Sequence, residues 1–240
     1  MSQEFKFKQF TVQQDLCAMK VGTDGVLLGA WVDIKDEYFS ILDIGTGTGV
    51  IALQAAQRSF AEQIEAVEIE PEAYVQAVQN FENSPWSDRL FCFHASFEEF
   101  VEEMYDEEYD LIISNPPFFT STYKEDTIED KRATARHVDS LPYDLLLKGT
   151  SMLLSEIGSA AFVIPYEEEN NFVSLAEQYG LYLNRVTHVK GTENSSIKRS
   201  LLQFSFQTTE VDKMVLIIEI DRHQYTDDYT SLVKDFYLKM

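Results

Sequence analysis

The segment LDIGTGTGVIAL (42–53) constrains the fold more than any other stretch of this 240-residue chain. A β-rich run ends at Ile44, and Gly45, Gly47 and Gly49 lead directly into a helix-forming sequence. Glycine suits such a turn because a Cβ would obstruct both a positive-φ backbone and the close approach of a ligand to the main chain. A strand that turns tightly into a helix is the opening unit of a parallel α/β sheet.

The rest of the chain repeats that unit. FSILDIG (39–45), QIEAVEIE (63–70), RLFCFHA (89–95), YDLIISNPP (109–117) and SAAFVIP (159–165) read as strands. Between them lie helical stretches at 48–58, at 71–82 with Pro71 in the first turn, from about Phe97, and from about Tyr143 to Leu154. Near-continuous apolar strands alternating with helices predict a doubly wound, mostly parallel sheet covered on both faces. After residue 165 the pattern changes. GLYLNRVTHVKG (180–191), KRSLLQFSFQ (198–207) and DKMVLIIEID (212–221) predict antiparallel strands at one edge, and DDYTSLVKDFYLKM (227–240) a short helix. With no linker or repeat, residues 1–240 read as one domain. Its parts are an N-terminal arm or lid over the site (1–38), a core (39–165), and C-terminal strands with a helix (166–240).

Spacing alone leaves the ligand of the glycine loop open between a dinucleotide and S-adenosylmethionine. Three details favour S-adenosylmethionine. Asp43 precedes the glycines, where a carboxylate can hold an ammonium group. The third glycine comes earlier than in the G-x-G-x-x-G pyrophosphate pattern. Glu68 ends the next strand and can accept hydrogen bonds from both ribose hydroxyls. Glu70 competes for that role, but it adjoins Pro71 at a helix start, where an acid favours the helix dipole. The adenine of the donor is expected near Ala95 and Ser96, although Ser96 also suits a helix cap.

A second motif, DLIISNPPFF (110–119), delivers Asn115, Pro116, Pro117 and Phe118 to the carboxyl edge of the sheet. These residue types suit methylation of a planar amine. The lone pair of such an amine is delocalised, and acceptors on its two N–H bonds favour the pyramidal form that attacks. The Asn115 side-chain carbonyl and the Pro116 backbone carbonyl can supply them, the two prolines fix the backbone, and Phe118 offers a stacking face.

LDIGTGTG, AVEIEPEA and SNPPF together resemble class I methyltransferases that act on exocyclic or amide nitrogens. FKFKQFTVQQDLCAMKVGTDGVLLGAWV (5–32) and YTSLVKDFYL (229–238) further resemble the bacterial tRNA(Val) adenine-N(6) methyltransferases, over essentially the whole chain. The resemblance implies a seven-stranded Rossmann-like sheet, S-adenosyl-L-methionine as cofactor with S-adenosyl-L-homocysteine as product, and methylation of the adenine beside the anticodon. It also implies cofactor contacts from Lys20, Gly22, Thr23 and Asp24, and a tRNA partner.

Nineteen Lys+Arg against 41 Asp+Glu give a net charge of −22, unusual for a chain that grips nucleic acid. The acids concentrate at 98–110 and 166–170, which read as solvated faces. The cations that remain as RNA contacts are Lys6 and Lys8 in the arm, Lys124, then Lys131, Arg132, Arg136 and His137 after the catalytic motif. Lys190, Lys198 and Arg199 join them near a C-terminal turn. Cys17 and Cys92 form no disulfide framework or zinc motif, and no metal site is expected. With no apolar run long enough to span a bilayer and no signal peptide, a cytoplasmic monomer is expected. Alternatives stay open in release-factor glutamine methyltransferases, ribosomal guanine methyltransferases, or a non-catalytic module that only binds S-adenosylmethionine or RNA.

Overall fold

The computed structural model describes residues 4–117 and 141–240. Strands β1 (Glu4–Lys6) and β2 (Thr11–Gln13) pair as a small hairpin, followed by helix α1 (Thr23–Trp31). The core begins with β3 (Ser40–Ile44), α2 (Val50–Arg58), β4 (Gln63–Glu68), α3 (Pro71–Glu82), β5 (Leu90–His94), α4 (Phe97–Glu103) and β6 (Tyr109–Ser114). It continues with α5 (Tyr143–Leu153) and β7 (Leu154–Pro165), then a 3-10 turn at Tyr166–Glu168 that runs into α6 (Glu169–Gln178). The last elements are β8 (Tyr182–Thr192), β9 (Ile197–Ser205), β10 (Asp212–Asp221), β11 (Gln224–Tyr225) and α7 (Asp227–Val233).

Nine strands form one sheet in the order β11-β10-β8-β9-β7-β6-β3-β4-β5. The five strands from β7 to β5 pair in parallel, and β9 runs against both β7 and β8. The strand expected at 212–221 is β10, and the two-residue β11 lies beyond it, so the sheet exceeds the seven strands that the resemblance implies. β10 pairs parallel to β8, so the antiparallel character enters through β9 and β11.

Strand alternation builds a core on each face of the sheet. Ile41, Leu111, Ile113, Ala161 and Val163 face one apolar cluster with α1, α2 and Phe81 of α3. Leu42, Ile112, Ala160, Phe162 and Ile164 face the other, with Phe97 and Phe100 of α4, Leu146 of α5 and Phe172 of α6. Every residue of β3 is buried, which is why its sequence carries no polar face.

The N-terminal arm is not a lid along its length. Gly25 through Trp31 are all buried, and α1 packs on α2. Gln54 Nε2 donates to the Val26 carbonyl at 3.1 Å, and Arg58 to that of Gly29 at 2.7 Å. Trp31 Nε1 donates to Thr187 Oγ1 on β8 at 2.9 Å, and the Arg185 guanidinium lies 4.3 Å from the Trp31 ring centroid. A helix apolar on every side has no face to give to water. The hairpin is held from the other end of the chain: Phe7 bridges to Tyr237, and Lys8 Nζ donates to the carbonyls of Lys234 and Met240.

Candidate active site

The glycine loop sits at the carboxyl end of β3. Gly45 and Thr46 donate to the Val67 carbonyl at 2.9 and 3.2 Å, anchoring the loop to β4. Gly45, Gly47 and Gly49 have φ of +70°, +57° and +81°, a region that L side chains enter at a cost. A Cβ built on Gly45 or Gly47 meets nothing within 4 Å, so the loop turns an open face outward. At Gly49 the same Cβ would lie 2.5 Å from Phe81 Cε1, so that glycine serves the packing of α2 on α3.

Asp43 is fully buried below the loop. Its Oδ2 accepts from Thr46 Oγ1 at 2.6 Å and from the Ala52 N–H at 3.2 Å, whereas Oδ1 is buried and has no hydrogen-bond partner among the described residues. Burial pushes this carboxyl up to about 7, against the Thr46 hydroxyl and the Ala52 N–H, with a smaller upward push from the charge of Glu68. Glu68 closes the other flank. Its Oε2 accepts from Gly47 N at 2.7 Å and its Oε1 from Glu70 N at 2.9 Å. Glu70 itself is the N-cap residue of α3. Two carboxylates thus bracket a backbone cradle.

Asn115 follows β6. Ser114 pairs with Ile44, which makes Asn115 and Gly45 the next residues on neighbouring strands. Asn115 Oδ1 is buried and accepts no hydrogen bond among the described residues. Pro116 is buried and Pro117 exposed. Asn115 Nδ2 would lie 3.9 Å from a Cβ on Gly25, so the first turn of α1 borders the site.

The other expected residues divide. Gly22 is the N-cap residue of α1, with exposed Thr23 next and exposed Lys20 before it. Asp24 accepts from Arg199 Nε at 2.8 Å, which joins a residue expected at the cofactor to one expected at RNA. Ala95 N donates to the Glu68 carbonyl at 3.2 Å. The Ser96 side chain is committed to a capping box with Glu99 at the start of α4. Lys6 pairs with Glu4 at 2.9 Å, Lys190 Nζ donates to the Glu193 carbonyl, and Lys198 is exposed. Lys8 is taken up by the C-terminal carbonyls noted above. Phe118, Lys124, Lys131, Arg132, Arg136 and His137 lie outside the described residues.

Sequence reasoning missed three buried amides. Asn80 Nδ2 donates to the carbonyls of Thr48, in the glycine loop, and Gln13, at 2.8 and 2.9 Å, while its Oδ1 accepts from Gln13 N at 2.8 Å. Gln76 Oε1 accepts from Leu16 N, and Gln14 Oε1 from Val21 N, each at 3.0 Å. Together they clasp residues 13–21 against α3 and the loop. The available signal was Gln76 and Asn80, one turn apart on the inner face of an amphipathic helix. Burial pushes the Cys17 and Cys92 thiols up to about 11 and 12, which keeps both protonated. No group of metal-binding residues and no helix long and apolar enough to cross a membrane occurs among the described residues.

Residues 26–138 match the family described as methyltransferase small domain. Among solved structures, a predicted O-methyltransferase from Agrobacterium tumefaciens superposes with a TM-score of 0.68 at 17% identity, over 89% of this chain and 96% of that one. A type I restriction-modification methyltransferase subunit from Streptococcus thermophilus gives 0.61 at 17% identity, over 96% of this chain and 53% of that one. At such identities the likeness concerns the fold. Sequence relatives are much nearer. A tRNA1(Val) (adenine(37)-N6)-methyltransferase of Christiangramia forsetii is 57% identical over 240 residues, covering 100% of this chain and 99% of the relative. One of Trichodesmium erythraeum is 45% identical, covering 98% of each. Identity of this order along the whole length, on a methyltransferase fold, means that the chain belongs to the family of the tRNA1(Val) (adenine(37)-N6)-methyltransferases.

Proposed function

We propose that the protein methylates the 6-amino group of adenine 37, beside the anticodon, in a valine tRNA, using S-adenosylmethionine. The observation that carries this is the buried Asn115 Oδ1, without a hydrogen-bond partner among the described residues, one strand from an open glycine cradle with Asp43 beneath it. The names of the full-length relatives supply the nucleotide.

The residues present fit the cofactor. The open faces of Gly45 and Gly47 leave room for it against the backbone. The free oxygen of Asp43 suits its ammonium, and Glu68, each of whose oxygens retains acceptor capacity, suits the ribose hydroxyls. Lys20, Gly22, Thr23 and Asp24 are proposed to contact it from the arm, where neighbouring Gly25 approaches Asn115, and Ala95 and Ser96 to line its adenine. Bound S-adenosylmethionine supplies an electrophilic methyl group and leaves as S-adenosylhomocysteine.

Asn115 Oδ1 accepts one N–H of the target amine and the Pro116 carbonyl accepts the other. This aligns the nitrogen lone pair and favours the pyramidal geometry it reaches as it attacks. The prolines hold both acceptors in place beforehand. The amine attacks in its neutral form, so no side chain has to remove a proton first, and the extra proton passes to water after transfer. Phe118 is proposed as a stacking face for the adenine. Lys6, Lys8, Lys124, Lys131, Arg132, Arg136, His137, Lys198 and Arg199 remain proposed phosphate contacts; of those described, Lys6, Lys8 and Lys198 are exposed. The protein is proposed to act as a monomer, and a tRNA substrate supports action in the cytoplasm.

The test is transfer of labelled methyl from S-adenosylmethionine to bacterial tRNA lacking the modification, followed by nucleoside analysis. Label is expected in 6-methyladenosine, and Asn115→Ala is expected to abolish it with donor affinity nearly unchanged. Label confined to ribosomal RNA or protein would overturn the assignment.

A further inference from the structure

Tyr166 is an unusual residue to find at the site edge. It opens the turn after β7, and its side chain is 41% exposed, yet the ring is held. It packs edge-to-face on His188, with centroids 5.1 Å apart and planes at 83°. His188 Nε2 in turn contacts Glu169 Oε2 at 2.8 Å, and the same carboxylate oxygen accepts from the Ser200 hydroxyl. Ser200 is completely buried. Elements β7, α6, β8 and β9 therefore cooperate to fix one aromatic ring that faces water.

Its position ties it to the reaction. β6 and β7 are adjacent and parallel, with Ser114 opposite Phe162. Both strands run to the same edge, where β6 delivers Asn115 and β7 delivers Tyr166. The register sets Asn115 opposite Val163, so Tyr166 lies three residues further along that edge, roughly 10 Å on, at the reach of a base adjoining the target rather than of the target amine itself. Pro165, the residue before it, pairs with Arg199 on β9, next to exposed Lys198. Glu167 and Glu168 follow it in the same 3-10 turn.

Resting on the function proposed above, we propose that Tyr166, braced by His188, is a stacking platform for an unpaired nucleobase adjoining the target adenine. Bases splayed from single-stranded loops are commonly held on aromatic rings, and every base offers a π face. A ring immobilised before binding loses little conformational entropy when the base arrives. His188, Glu169 and Ser200 act through the ring and are positioning residues.

The experiment uses the anticodon stem–loop of a valine tRNA with an unmodified adenine beside the anticodon. Methyl-transfer kinetics, anisotropy of the labelled stem–loop bound to protein saturated with S-adenosylhomocysteine, and calorimetric affinity for S-adenosylmethionine are measured together. Tyr166→Ala is expected to raise KM and weaken stem–loop binding tenfold or more, with kcat within about twofold and donor affinity unchanged. Tyr166→Phe keeps the ring and is expected to behave as the native protein. Stem–loop binding within twofold of native in Tyr166→Ala overturns the proposal and leaves the ring to a protein partner. So does failure of phenylalanine to rescue, or a parallel loss of donor affinity. Should the native protein methylate no tRNA, the function proposed above fails. The anisotropy of the alanine and phenylalanine variants still decides the subsite, and a stem–loop that the native protein does not bind overturns it.

Discussion

Alanine at position 47, set against alanine at position 49, separates the ligand role of the glycine loop from its packing role. Both glycines have positive φ, and an L residue there costs about 1–2 kcal/mol, partly offset by the stiffer unfolded chain. At Gly47 the new methyl meets no protein atom within 4 Å. The net loss of stability is therefore about 1 kcal/mol, or roughly 2–4 °C in a domain of this size. At Gly49 the methyl would lie 2.5 Å from Phe81 Cε1, in a ring only 2% exposed that has nowhere to go. Overpacking adds about 1–3 kcal/mol, so this variant is expected to lose about 2–4 kcal/mol and to melt roughly 4–16 °C lower. Donor affinity measured by titration calorimetry should reverse the emphasis. Gly47→Ala places its methyl in the open cradle and is expected to weaken S-adenosylmethionine at least tenfold, about 1.4 kcal/mol, despite its mild melting shift. Native donor affinity in Gly47→Ala would refute the cradle. A lower melting point for Gly47→Ala than for Gly49→Ala would refute the packing argument.

Two further outcomes follow from buried groups. The Asp43 carboxyl stands near 7 against an ordinary 3.8, so the folded chain binds this proton more tightly than the unfolded one. Its contribution to stability is complete below about pH 4 and is lost as pH rises through about 7. Thermal melts from pH 5 to 8 should accordingly shift in favour of Asp43→Asn relative to native. Donor affinity should fall toward a decade per pH unit below 7 in the native protein and stay flat, and weak, in the variant. Gly149 on α5 faces Phe97 and Val101 of α4, where a Cβ would be in clash, at 2.9 Å from Val101 Cγ2. Gly149→Ala is expected to cost about 1–3 kcal/mol with unchanged donor affinity, and an unaltered melting point would contradict the tight helix contact.

The parts of the fold that were legible are those encoded by neighbours along the chain. SILDI and LIIS read as strands because a parallel strand buried on both faces needs apolar residues throughout, and Ser96 with Glu99 spells a capping box. That Asp43, Glu68 and Asn115 sit at or beside strand ends was legible, because a strand and the turn after it are encoded by neighbouring residues. What escaped depends on partners far away. Asp24 and Arg199 are 175 residues apart and nothing local in either marks the other. VLLGAW in α1 reads equally as a lid or as core, and only its packing on α2 and β8 decides. Gln76 and Asn80 look solvated in sequence because a polar residue that meets backbone groups of another segment carries no sign of it. The direction of β10 is set by residues 206–211, whose composition permits either course.

The hairpin and α1 take their partners from the other end of the chain: Phe7 from Tyr237, Lys8 from residues 234 and 240, Trp31 from Thr187. The hairpin is thus completed only when the C-terminal segment arrives. At about 5–20 residues per second, residue 237 follows residue 13 by roughly 10–45 s. During that interval Phe5 and Phe7 lack the Tyr237 ring that finally covers them, while residues 13–21 already have their partners on α3. A ribosome stalled late in the message would therefore hold a chain whose glycine loop and clasp have all their partners while the N-terminal hairpin still lacks its own.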